Sequence, residues 1–189
     1  MPIGRLPVKV YTIPHMTNWI TRFLKAPQTI GSVAPSSKYL GKLMTWDISS
    51  NAKVLEAGPG DGAITRHFFS RLKSPTQLTQ IELDADLANI CRSRFSGAKI
   101  INGDIDKILT DDQQTYDVIV SGIPFAALPK EKRLALFQLI SKRLNLGGTF
   151  VMFQYSLTSR TELREIFSNV DIRFTPLNIP PAFVYVAKR

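Results

Sequence analysis

One cysteine, Cys91, and two histidines, His15 and His67, are all that 189 residues contain of the side chains that form disulfides and most metal sites. A single thiol excludes an intramolecular disulfide and suits a reducing compartment. No group of His, Cys, Asp and Glu has metal-ligand spacing, so no metal is expected. No apolar run approaches the roughly 18 residues of a membrane-spanning helix, and residues 1–7 lack the continuous apolar core of a signal peptide. There is no internal repeat and no low-complexity tract. These absences point to a single-domain cytoplasmic protein, long enough for a substantial core. Acidic residues are also missing from the first 46 positions. There Arg5, Lys9, Arg22, Lys25, Lys38 and Lys42 supply +6 of the net charge of +9. That skew suits an anionic surface, either phosphate backbone or acidic lipid, although a solvated basic face has the same composition.

From residue 53 onward, short apolar runs alternate with helix-length amphipathic stretches. Strands are expected at residues 53–56, at a run ending near 81–82, at 99–101, at 116–121, at 149–155 after the break at Gly147-Gly148, and at 182–187. Helices are expected at residues 63–73, 84–95, 130–144 and 158–168, with Leu134, Phe137, Ile140 and Leu144 on one face of the third. Strand–helix alternation implies an α/β fold, Rossmann-like and doubly wound around a mostly parallel, seven-stranded sheet. Residues 1–52 stand outside the alternation and read as a basic, amphipathic helical extension to a domain formed by residues 53–189.

In such a sheet, ligands bind beyond the carboxyl ends of the strands. Gly58, Gly60 and Gly62 lie at the first strand end, where glycine permits a tight turn and close approach of backbone to ligand. Glu82, 20 residues past Gly62, ends the second strand and can accept hydrogen bonds from both hydroxyls of a ribose. Asp104 follows the third. Capping of the following helices is the structural alternative for Glu82 and Asp104. A relaxed dinucleotide fingerprint (Gly58, Gly60, Ala63) would also admit a nicotinamide enzyme. Against it, Glu56 would repel a pyrophosphate but suits an ammonium, and the chain leaves no room for a separate substrate domain.

The segments Val54-Leu55-Glu56-Ala57-Gly58-Pro59-Gly60-Asp61-Gly62, Ile81-Glu82-Leu83-Asp84 and Gly103-Asp104-Ile105 resemble, in order, the cofactor motifs of class I methyltransferases. The resemblance spans residues 53–155 and implies S-adenosylmethionine as cofactor. It implies Glu56, Gly58 and Gly60 near the methionine end, Glu82 and Leu83 at the ribose, and Asp104 and Ile105 at the adenine.

Ser121-Gly122-Ile123-Pro124-Phe125 closes the fourth strand where such enzymes place substrate-facing residues. Enzymes that dimethylate adenine in ribosomal RNA have Asn, an apolar residue, Pro and an aromatic there, and aligning Pro124 with Phe125 puts Gly122 at the Asn position. Loss of that acceptor leaves a buried amine short of a partner, at about 1–3 kcal/mol. Phe23-Leu24-Lys25, residues 29–37 (Thr-Ile-Gly-Ser-Val-Ala-Pro-Ser-Ser), Ser121-Gly122-Ile123-Pro124 and residues 177–185 (Leu-Asn-Ile-Pro-Pro-Ala-Phe-Val-Tyr) instead resemble bacterial phospholipid N-methyltransferases, over nearly the whole chain. This second resemblance implies methylation of the phosphatidylethanolamine headgroup amine towards phosphatidylcholine, and Gly31, Ser32 and Ser121 join the expected cofactor site. Other amino lipids, small amines and ribosomal RNA adenine are the alternative acceptors. Ser121, the Gly122 carbonyl and Tyr155 form the expected catalytic set: the first two orient the amine, and Tyr155 with Phe125 embraces the methylated cation.

Met16, Trp19, Ile20, Phe23 and Leu24 share one helical face, and Arg22 and Lys25 lie on the other. That is the pattern of a helix in a membrane interface, and equally of one packed on its own domain. Residues 1–46, with Trp19, Phe23, Arg22 and Lys25, are therefore the expected contact with an anionic membrane, on its cytoplasmic face. A phospholipid is then the expected substrate, and nucleic acid a less favoured partner.

Overall fold

The computed structural model describes residues 37–189. The stretch around Trp19, Arg22, Phe23 and Lys25 lies outside them, as do Gly31 and Ser32. Helix α1 (Lys38–Thr45) leads into strand β1 (Val54–Ala57), followed by β2 (Leu78–Glu82), α2 (Ala85–Arg94), β3 (Lys99–Asn102) and α3 (Ile105–Asp111). Then come β4 (Tyr116–Ser121), α4 (Lys130–Lys142), β5 (Leu144–Gln154), α5 (Arg160–Ile166), β6 (Asn169–Thr175) and β7 (Ala182–Lys188). One sheet takes the strand order β3-β2-β1-β4-β5-β7-β6, with β7 alone running against the rest. The winding reverses between β1 and β4. That switch point opens a crevice at the carboxyl ends of the strands. Among the described residues, no helix is long and apolar enough to cross a membrane.

Every residue of β1 and β2 is buried, as expected of parallel strands covered on both faces. Ser37 starts α1 by accepting the Leu40 amide at 3.2 Å on its hydroxyl. Leu40 and Met44 then pack with Ile48 against Val54, Val118 and Val184. Residues 37–52 thus share the core of the strands that follow them. Burying two such aliphatic side chains contributes about 1.5–3 kcal/mol each.

The helix expected over residues 63–73 is absent. Ile64, Thr65 and Phe68 are buried there, but two separate 3-10 turns, Thr65–His67 and Phe69–Arg71, carry them. Phe68, at φ −133°, breaks the helical path between the turns. Side-chain anchoring has overridden helical propensity. The fifth strand does not wait for Gly147-Gly148: Leu144 already pairs with Tyr116, and the glycines sit in an irregularity before Thr149 pairs with Val118. The strand without a sequence assignment is β6, an edge strand beyond β7.

Candidate active site

Three strands end in a glycine whose amide continues the ladder onto its neighbour. Gly58 donates to the Ile81 carbonyl (2.9 Å), Gly103 to Glu82 (2.9 Å) and Gly122 to Ala57 (3.0 Å). The open ends of β2, β1 and β4 are thereby locked side by side around the switch point. Gly58, Gly60 and Gly62 all have positive φ (66°, 60° and 83°), which L-residues with a β-carbon rarely adopt.

Glu56 is completely buried at the end of β1. Its Oε2 accepts from the Thr65 hydroxyl (2.6 Å) and from the Gln80 side-chain amide (2.7 Å), and Gln80 also donates to Thr65 Oγ1 (2.8 Å). Glu56 Oε1 and Gln80 Oε1 have no partner. Two buried acceptors without donors are costly unless a ligand supplies them. Burial pushes the Glu56 carboxyl up to about 7, against the lowering effect of its two hydrogen bonds.

Glu82, also buried, closes the loop. Its Oε2 accepts the Gly60 amide (2.9 Å) and its Oε1 the Asp84 amide (3.0 Å). Burial raises its carboxyl as well. Each oxygen keeps one lone pair, the number two ribose hydroxyls would use. The Gly60 carbonyl takes the Cys91 thiol (3.3 Å), and burial pushes that thiol up to about 12, so it remains a neutral donor. Leu83 lies beside Glu82, and Asn102 donates to the carbonyls of both residues (2.9 and 3.0 Å). Asp104 is the N-cap of α3, accepting the Asp106 amide (3.1 Å), and Ile105 is that helix's first residue. Helix capping, the structural alternative for Asp104, is therefore met in the fold.

At the end of β4, Ser121 is fully buried. Its hydroxyl donates to the Ala57 carbonyl (3.3 Å) and accepts the Ile123 amide (3.1 Å). That hydroxyl braces the turn and is not presented to the crevice. A β-carbon on Gly122 would stand 2.6 Å from the Gly58 carbonyl oxygen. Gln154, at the end of β5, clamps the same turn by donating to the Ile123 carbonyl (3.1 Å) and accepting the Ala126 amide (3.0 Å). Phe125 does not face the crevice as expected. It is buried between Phe137 (4.8 Å between centroids) and Phe150 (6.0 Å), so it is unavailable to a cation. Tyr155 is exposed and edge-on to Phe153 at 5.8 Å. Burial of the phenol oxygen raises its pKa, so it stays protonated at neutral pH.

The domain matches the family described as the methyltransferase domain over residues 54–148. The chain belongs to that family. It is an S-adenosylmethionine-dependent methyltransferase. It is 31% identical over 180 residues to the ornithine lipid N-methyltransferase of Singulisphaera acidiphila, an alignment covering 90% of this chain and 94% of the relative. It is 35% identical over 147 residues to ribosomal RNA small subunit methyltransferase A of Pelagibacter ubique, covering 73% of this chain but 53% of that one. The fold is shared with the N-methyltransferase NodS from Bradyrhizobium japonicum in complex with S-adenosyl-L-homocysteine (TM-score 0.65, 17% identity, 78% of this chain and 82% of that). It is shared too with the Thermus thermophilus 16S rRNA N2 G1207 methyltransferase (0.63, 21%, 86% of this chain), of which the methyltransferase described here spans 45%. The residues present fit the cofactor: unpartnered buried acceptors beside Glu56 suit a donor group, and the spare lone pairs of Glu82 suit a ribose.

Sequence reasoning missed Thr65, Gln80, Gln154 and Asn178. Gln80 in β2 and Gln154 at the end of β5 are buried amides, and a buried amide marks a polar network. Nothing in their spacing names their partners.

Proposed function

We propose that this methyltransferase transfers methyl groups to the headgroup amine of a membrane amino lipid, phosphatidylethanolamine or an ornithine lipid, while attached to an anionic membrane surface. The observation that carries this reading is the contact of Gly122 with the Gly58 carbonyl. It leaves no space for the Asn that an adenine methylase places at this turn, so the amide acceptor for a base is missing. The 31% identical lipid N-methyltransferase, matched over 94% of its length, supports the same acceptor class. The acid-free first 46 residues supply attraction to anionic lipid, about 1 kcal/mol for each basic residue close to the surface.

S-adenosylmethionine supplies an electrophilic sulfonium methyl. Glu56, Gly58 and Gly60 would hold its methionine end, Glu82 and Leu83 its ribose, and Asp104 and Ile105 its adenine. Ser121 and Gln154 would act on the acceptor by fixing the turn at Gly122, whose carbonyl would orient the amine. Holding amine and methyl in line accounts for much of the rate, because displacement at an activated methyl needs positioning more than chemistry. Tyr155, protonated, offers a ring face to an ammonium that loses its own hydrogen-bond donors as methyls accumulate.

The test is radiolabelled methyl transfer to vesicles of phosphatidylethanolamine, vesicles containing ornithine lipid, and ribosomal RNA, side by side. Label in either lipid arm supports the reading and names the headgroup. Label in the RNA alone would overturn it.

A further inference from the structure

The β6–β7 connection, residues 176–181, has an arrangement that the chemistry above does not use. Asn178 is its one buried residue, 2% exposed, while Leu177 and Ile179 on either side are 59% and 75% exposed. The burial of Asn178 has a visible cause. Its Oδ1 accepts the Ser37 amide (3.1 Å) and its Nδ2 donates to the Pro180 carbonyl (2.7 Å). A polar anchor thus holds two aliphatic side chains out in water. Tyr155 and Leu157, 42% and 45% exposed, extend the apolar surface from the β5–α5 connection.

Its place is set by the sheet. Thr175 pairs with Ala182, and Gln154 with Phe183, so the loop hangs at the carboxyl end of β5, the end that holds Glu56, Glu82 and Gly122. Three strand spacings, about 14 Å, separate β1 from β7. The flanking segments carry Lys38, Lys42, Arg160 and Arg173, against neighbouring acids that include Asp171 and the Glu162 already paired with Arg133.

We infer that residues 176–181, with Tyr155 and Leu157, form a membrane-inserting rim in which Leu177 and Ile179 enter an anionic phospholipid surface beside the acceptor site. This rests on the lipid reading of the reaction and adds a second element to the attachment expected of residues 1–46. An exposed apolar patch with more basic than acidic residues on its flanking segments is complementary to an anionic bilayer, where aliphatic side chains bury among acyl chains and cations meet phosphates. Insertion here brings a headgroup to the crevice without extracting its lipid.

The test uses the full chain with phosphatidylcholine vesicles containing or lacking phosphatidylglycerol. Ile179→Trp should shift its emission to the blue on vesicle binding and be quenched by lipids brominated near the headgroup. Leu146→Trp, at a residue 90% exposed near the opposite end of β5, should do neither. Leu177→Ser combined with Ile179→Ser should weaken vesicle binding about tenfold. Cofactor affinity and transfer to a monomeric short-chain amino lipid should stay unchanged. An Ile179→Trp emission indifferent to vesicles would overturn the inference. So would a shift that follows protein concentration without lipid, which assigns the patch to a second copy, or one present in the free chain and abolished by deleting residues 1–36. Transfer to lipid without insertion would sink the rim and leave the reaction. Insertion without transfer to any lipid amine would sink the reaction and leave the rim.

Discussion

Gly122 and Gly58 face each other across the ends of β4 and β1 so closely that any side chain on Gly122 would begin 2.6 Å from the Gly58 carbonyl oxygen. Backbone against backbone, neither can yield without moving the cofactor loop. The turn proposed to receive the acceptor and the loop proposed to receive the donor are therefore one mechanical unit.

Gly122→Ala should destabilise the domain by about 1–3 kcal/mol, the usual cost of overpacking, and weaken S-adenosylmethionine binding at least tenfold. Gly122→Asn should fare no better and should not create an adenine methylase. Chemical denaturation with titration calorimetry measures both. A variant of wild-type stability and affinity would show that the loop yields freely.

Glu56 makes stability and cofactor binding depend on pH in opposite directions. Its folded value of about 7 lies above the ordinary carboxylate value of 4.5, so the folded state binds more protons than the unfolded state between these limits. The stabilisation is complete below pH 4.5 and is lost as pH rises through 7. It amounts to about 3 kcal/mol. The stability difference between wild type and Glu56→Gln, followed by urea unfolding from pH 5 to 8, should shrink by that order. A cationic ligand group prefers the ionised carboxylate, so cofactor affinity should rise about tenfold from pH 6 to 8 in the wild type. In Glu56→Gln it should stay flat.

Glu82→Ala should cost more than a ribose contact. It strands the Gly60 and Asp84 amides that the carboxylate now accepts, at about 1–3 kcal/mol for each buried donor. Calorimetry should find cofactor binding reduced a hundredfold or more, with a lower melting temperature. Unchanged melting would mean that the two amides find water.

Arg133 and Glu162 pair α4 with α5 through two contacts of 2.5 Å, with side chains 11% and 9% exposed. Glu162→Leu alone should destabilise by about 3–5 kcal/mol, because it leaves a buried guanidinium uncompensated. Arg133→Met with Glu162→Leu should recover most of that. A double-mutant cycle in urea reads the coupling, and additive losses would contradict it.

Tyr155→Phe keeps the ring and loses only the hydroxyl, so kcat should be nearly unchanged. Tyr155→Ala should lower kcat/KM most for the later methylations, where only a ring face can hold the acceptor. Equal losses at every methylation step would remove the ring from the mechanism.

Strand–helix alternation and the ordered run of Glu56, the glycines, Glu82 and Asp104 were legible in the sequence because each is local. Buried parallel strands show as short runs rich in apolar residues, and the turn after β1 shows as a cluster of glycines. From these followed the fold class and the crevice, and the resemblance of the ordered motifs to those of class I methyltransferases implied the cofactor. The tertiary structure decided what depends on groups distant in the chain. It replaced the helix over residues 63–73 by two turns, since Thr65 is held by Glu56 and Gln80. It took Phe125 from the site and gave it to Phe137 and Phe150. It committed the Ser121 hydroxyl to backbone, and it turned Asn178 inward so that Leu177 and Ile179 face out. None of these contacts has a period or a spacing. Each depends on groups 9 to 141 residues apart in sequence meeting in space, and only packing determines which groups meet.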